Sequence, residues 1–288
     1  MSVSVLLGSP WKRVGDMPPG ALTDARLQLH HAAQIAVSAA ISYLPALSDD
    51  SHTALTWVAS NGALVTEQIT AADPFRIGVR VEDLTLHALA SELRSTNTFI
   101  LAGRTVEEAN DWLGAVAAEA GLDRARLTSA KHYTIPAHPV ASGAPFSAAI
   151  GNGLGELSKY WSNAGVVLDD LVRVTEGASP VRTWPHHFDI ASLIEIPGAG
   201  PRRTIGVGHS PGDESYPEPY WYVGPYPYPS TTNLPPLAGA GHWHTKGWVG
   251  AVLPASAYVA AADQRGQVAA FIDSAVVACR QLLGTQAE

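Results

Sequence analysis

The stretch Thr53 to Ile69, TALTWVASNGALVTEQI, decides how the chain is read. Two runs rich in apolar residues, Thr53 to Ala59 and Ala63 to Ile69, flank Asn61-Gly62. Asn-Gly tolerates positive φ at both central positions of a type I′ turn, whose twist suits paired strands. The stretch predicts an antiparallel hairpin. Phe75 to Val81 then alternates apolar and polar residues, Glu82-Asp83 turns the chain, and Leu84 to Ala90 and Thr98 to Leu101 continue as strands. Connections this short join antiparallel strands only.

Helices bracket the strands. Ala21 to Leu44 repeats small and apolar residues at steps of three and four (Leu22, Arg26, Leu29, Ala33, Ala36, Ala40, Leu44), between Pro18-Pro19-Gly20 and Pro45. Thr105, with Glu108 three residues on, forms a capping box for a helix ending at Gly121. From Phe146, the residues Ile150, Leu154, Leu157, Trp161, Ala164, Leu168 and Leu171 make one apolar stripe. Glycines 151, 153 and 155 in its first turns cost about 1 kcal/mol each in a helix interior, so they mark close packing or fraying. Strands follow at Arg182 to Trp184, Phe188 to Ile196, Thr204 to His209, Tyr220 to Gly224 and Gly247 to Leu253. Asp263 caps a last helix with Val268, Phe271, Ile272, Ala275, Cys279 and Leu282 on its apolar face. The expected class is α+β, a mostly antiparallel sheet flanked by long helices. The order helix, strands, helix occurs twice, and Thr56-Trp57 and Thr183-Trp184 recur at similar places. This points to a diverged duplication: a half at 1–126, a linker at 127–145 and a second half at 146–288.

The chain has 288 residues, a formal net charge of −8 and one cysteine. Its charged fraction, 15%, is low and its apolar fraction, 46%, is ample for a core, which excludes a disordered chain. The acidic balance argues against a nucleic-acid partner. No apolar run nears the ~20 residues of a membrane span. Met1 to Gly20 lacks the parts of a signal peptide, so a cytoplasmic protein is expected. A lone Cys279 excludes a disulfide framework, and its place on an apolar helix face makes it core.

The residues that carry chemistry are concentrated between Trp184 and Trp248, which hold five of 11 His, four of eight Trp and five of nine Tyr. In His242-Trp243-His244, an extended backbone puts both imidazoles on one side and Trp243 on the other. Two imidazoles on one strand face begin many cysteine-free metal sites. In Trp184-Pro-His-His-Phe-Asp, the same parity puts Trp184, His186, Phe188 and Ile190 on one face and His187 with Asp189 on the other. His187, Asp189, His242 and His244 are therefore the candidate ligands of a divalent metal, zinc or iron, with His186 and Glu218 as supporting partners. Glu214, in the acidic loop Asp213 to Glu218, is the candidate acid/base. Tyr216, Tyr220, Tyr222, Trp184 and Trp243 are candidate ligand-binding aromatics, joined by His30 and His52 if the two halves face each other.

The run Trp184-Pro-His-His-Phe-Asp-Ile, with Asp213-Glu-Ser-Tyr-Pro-Glu-Pro-Tyr and His242-Trp-His-Thr-Lys-Gly-Trp, resembles an uncharacterised bacterial protein family of unknown function. Leu29-His30, Gln34, His52 and Phe75 to Asp83 are similar too, so the resemblance spans roughly 20 to 284. It implies no activity.

Gly151-Asn-Gly-Leu-Gly lacks the Gly-Lys-Ser/Thr of a phosphate loop, so no nucleotide cofactor is indicated. Neither a Gly-x-Ser-x-Gly elbow nor His-Glu-x-x-His occurs. The leading expectation is a metal-dependent enzyme, hydrolytic or oxygenase-like, acting on a small apolar or aromatic molecule. Two other readings fit the same residues: a metal-free carboxylate enzyme such as a glycosidase, and a non-catalytic binding protein with an aromatic-lined pocket. The oligomeric state is left open.

Overall fold

A computed structural model describes residues 10–198 and 200–284. Met1 to Ser9, on which part of the signal-peptide reading falls, lie outside the described residues. The fold is α+β, with antiparallel sheets and long helices. The chain divides into two compact units. One comprises Leu22–Ser158 and Arg182–Phe188, the other Met1–Ala21, Lys159–Val181 and Asp189–Glu288.

The first unit holds α1 (Thr23–Tyr43), β1 (Thr56–Val58), β2 (Ala63–Val65), β3 (Phe75–Arg80), β4 (Thr85–Ala90), β5 (Ser95–Ile100), α2 (Val106–Glu119), the first turns of α3 (Gly151–Val174) and the short β6 (Arg182–Trp184). Strands β1 to β5 form an antiparallel meander in chain order. The Asn61-Gly62 hairpin is present, with Val58 opposite Ala63. Its turn differs from type I′, because Gly62 has positive φ (58°) and Asn61 does not. Asn61 instead donates its side-chain amide to the Leu93 carbonyl at 3.0 Å. The capping box of α2 is complete: Thr105 Oγ1 accepts from the Glu108 N–H, and Glu108 accepts from the Thr105 N–H.

Helix α1 is buried over most of its circumference rather than along one seam. Its polar residues are accommodated because each finds a partner. Gln28 takes the Ser147 N–H at 2.8 Å and donates to Asp24 at 2.9 Å, and His31 bonds the Pro136 carbonyl at 3.0 Å. Of the three glycines that open α3, Gly153 is the packing one: a Cβ there would stand 2.8 Å from the Ala25 Cβ, while Gly151 and Gly155 meet nothing.

The second unit holds the rest of α3, then β7 (Asp189–Ile196), β8 (Arg203–Ser210), β9 (Tyr220–Tyr226), β10 (His242–His244), β11 (Gly250–Pro254) and α4 (Gln264–Gly284). The strands order as β10-β11-β9-β8-β7, all antiparallel. One face, the helix face, carries Ile205, Val207, His209, Trp221, Val223, Ala251 and Leu253, each at most 1% exposed. Helix α4 packs on β8, β9 and β11, and Tyr160 of α3 stacks on His209 with ring centres 5.5 Å apart. Asp263 caps α4 by accepting from the Gly266 N–H at 2.8 Å. Cys279 is buried on this face, and burial pushes its thiol up to about 12, as befits a core residue.

Candidate functional site

Strand register settles what lies on the opposite face of the second unit's sheet. Trp221 and Val223 face the helices, so Tyr220, Tyr222 and Gly224 point the other way. Successive pairings give two rows across the strands. One row runs Ala191, Gly208, Tyr222, Val252, His242. The next runs Leu193, Gly206 and Gly224, and Gly250 and His244 complete it. Trp243, opposite Ala251, turns to the helix face and donates its indole N–H to the Pro235 carbonyl at 2.7 Å.

The tyrosine face is a line of linked polar rings. Tyr222 lies flat over Gly208, where a Cβ would come within 2.5 Å of its hydroxyl, and donates that hydroxyl to Asp189. Tyr220 donates to Asp213 Oδ2 at 2.5 Å. Burial, reinforced by the neighbouring aspartates, raises both phenols well above their ordinary range. Tyr216 packs on Tyr220 with ring centres 4.9 Å apart. Its hydroxyl lies 3.1 Å from His242 Nε2 and 3.0 Å from His244 Nδ1. Nε2 of His244 is 2.6 Å from the Lys246 carbonyl, and the His244 ring stacks on Trp248 at 4.4 Å.

The acidic loop is built to hold Tyr216. Asp213 Oδ1 accepts from the N–H groups of Ser215 and Tyr216 at 2.7 and 2.9 Å, an Asx turn. Glu218 takes both the N–H and the hydroxyl of Ser256, at 2.6 and 2.8 Å, and so ties the loop down beyond β11. Glu214 stands exposed at the loop tip and makes no hydrogen bond or ion pair among the described residues.

The sequence-chosen ligands are partly brought together. His242 and His244 share the Tyr216 hydroxyl. Asp189 lies on the same face but four strands away, about 19 Å at ~4.8 Å per strand, beyond the joint reach of the side chains. His187 belongs to the first unit. The strand parity expected for Trp184 to Ile190 does not hold, because residues 185–188 form a turn closed by the Phe188 N–H on the Trp184 carbonyl at 2.7 Å. Pro185 supplies no N–H for a ladder. Phe188 sits at positive φ (59°). His186 and His187 are therefore neighbours, ring centres 4.4 Å apart, instead of facing opposite ways.

His30 and Gln34 pin that turn. Both bond the Pro185 carbonyl at 2.8 Å, Tyr133 donates to Gln34 at 2.9 Å, and the His30 ring stacks on Phe188 at 4.4 Å. Burial lowers His30 to about 4, so it is held neutral. The rings of Trp184 and His186 meet at 6.1 Å. His52 Nδ1 accepts the Leu47 N–H at 3.2 Å, a loop contact.

Among the described residues, no three His, Cys, Asp or Glu side chains gather about one point. Sequence reasoning did not single out Gly206, Gly208, Gly224 and Gly250 on the tyrosine face, since strand register alone aligns them. A concave space of about 880 Å³ near Glu195, Arg203 and Arg280 contains none of these groups. No helix among the described residues is long and apolar enough to cross a membrane. No family model, curated protein or solved structure matches the chain.

Proposed function

We propose that the tyrosine face binds a small, flat, apolar or aromatic molecule and that the chain acts on it as an enzyme. The observation that carries this is Gly224. It sits mid-strand without positive φ, and a Cβ built on it meets nothing within 4 Å. Glycine weakens a strand interior and often marks close approach by a ligand. Gly208 and Gly250 are explained by the rings of Tyr222 and Trp248, which a Cβ would strike at 2.5 Å in each case. Gly224 has no such neighbour. A planar molecule over it would lie between Tyr222 and the Trp248–His244 stack, its edge toward the Tyr216 hydroxyl.

The polar groups at that edge suit proton transfer. If His244 Nε2–H donates to the Lys246 carbonyl, its Nδ1 keeps a lone pair and accepts from Tyr216. His242 Nε2–H can then donate to the Tyr216 oxygen. Tyr216 is thus placed to give a proton to a bound molecule or take one from it, with an imidazole on each side. The carboxylates Asp189, Asp213 and Glu218 are engaged in holding tyrosines and loop, which favours this reading over a glycosidase-like carboxylate pair.

The test is fluorescence quenching by a panel of planar phenols, indoles and aryl carboxylates. Gly224→Leu, which keeps the fold by circular dichroism, should weaken the best binder at least tenfold. Equal binding by wild type and Gly224→Leu, or none by wild type, refutes the proposal.

A further inference from the structure

We propose that His242, His244 and Tyr216 form a binding site for one divalent metal ion of the zinc or iron class. The Tyr216 Oη joins the other two donor atoms, 3.1 Å from His242 Nε2 and 3.0 Å from His244 Nδ1. A tetrahedral ion with bonds of about 2.0–2.1 Å separates its donors by roughly 3.3–3.4 Å. Admitting an ion therefore opens each of these contacts by only about 0.3 Å, within the play of a side chain.

Three independent features hold the donors in place. Both histidines are on β10, paired to β11, with His242 opposite Val252 and His244 opposite Gly250. His244 has the outer partner that metal-ligating imidazoles usually have: the Lys246 carbonyl at 2.6 Å leaves Nδ1 as the coordinating nitrogen. Tyr216 is held by the Asx turn at Asp213 and by Tyr220. His242 is exposed and Tyr216 half-exposed, so a fourth position faces solvent, as an ion that binds water or substrate requires. On coordination the two imidazoles bind neutral and the phenol oxygen binds with loss of its proton to solvent.

This site differs from the set chosen by sequence. It keeps His242 and His244 and takes its oxygen from Tyr216 rather than from Asp189. It stands on these side chains and not on the Gly224 reading, so the two can fail separately.

The experiment titrates the full chain, freed of metal by chelator and dialysis, with zinc chloride by calorimetry and with cobalt(II) and copper(II) by absorption. One ion per chain is expected, with tetrahedral cobalt bands and a tyrosinate-to-copper charge-transfer band. His242→Ala and His244→Ala should each weaken binding by at least the ~10–100-fold seen when a supporting partner of a metal ligand is lost. Tyr216→Phe, which keeps the ring packing, should abolish the charge-transfer band, and His132→Ala, at an exposed imidazole beside Asp50 in the first unit, should change nothing. If His242→Ala fails to fold, Tyr216→Phe decides alone. No stoichiometric binding, or a charge-transfer band that survives Tyr216→Phe, overturns the proposal. Quenching by the planar panel, run on the same metal-free protein, reports on the Gly224 reading separately.

Discussion

Gly208→Ala is the sharpest test of how the tyrosine face is built. A Cβ at 208 would lie 2.5 Å from the Tyr222 hydroxyl oxygen, 2.6 Å from Cζ and 2.7 Å from Cε1, closer than carbon atoms approach without displacement. The ring cannot lift away without loss, because its hydroxyl is bound to Asp189, itself only 8% exposed. A hydrogen bond to a charged group contributes about 1.5–3 kcal/mol. Overpacking a filled site adds about 1–3 kcal/mol. The expected destabilisation is therefore about 2.5–6 kcal/mol. With an m-value of about 3 kcal/mol/M, a 3 kcal/mol loss lowers the urea midpoint by about 1 M. Gly224→Ala, the same change on the same face, meets nothing within 4 Å and should be neutral or slightly stabilising. Tyr222→Ala removes the obstacle, so Gly208→Ala made in that background should cost less than about 1 kcal/mol more, the difference being the coupling of two touching residues. Equal midpoints for Gly208→Ala and Gly224→Ala would refute the argument.

Acid should destabilise the fold through its buried histidines. Burial lowers His30 to about 4 and His209 to about 3, whereas an unfolded chain takes up those protons near 6.5. The unfolded state then binds more protons below pH 6.5, so stability is full above that pH and falls as pH drops toward 4, by about 3 kcal/mol for His30 alone. His209 makes no hydrogen bond through either ring nitrogen among the described residues. His209→Leu should therefore flatten the pH dependence without loss at pH 7.5; parallel curves from urea melts at pH 7.5 and 4.5 would contradict this. Thr105→Ala removes half of the α2 capping box and should cost about 1 kcal/mol in the same melts, with Thr105→Ser close to wild type.

Whatever depends on a residue and its near neighbours was legible in the chain alone. Asn61-Gly62 located the first hairpin, Thr105 and Glu108 the start of α2, Asp263 the start of α4, and the stripe from Leu154 to Leu171 the buried side of α3. Period-two parity correctly put His242 with His244 on one face, because side-chain alternation is a property of a single strand. It failed at Trp184 to Ile190, where Pro185 breaks the ladder and the His30 and Gln34 side chains hold a turn that no local pattern announces.

Which strands are neighbours depends on long-range pairing. With β11 between β9 and β10, the Tyr216 loop closes over both histidines, and Asp189 is left at the far side of the sheet. The row of Gly206, Gly224 and Gly250 comes from three strands far apart in the chain, and register between strands is fixed by non-local pairing. Periodicity is set by backbone geometry within a few residues, whereas a site that joins several strands depends on how the sheet is ordered. That is why the histidine pair was legible in the sequence, while its tyrosine partner and the open floor at Gly224 were not.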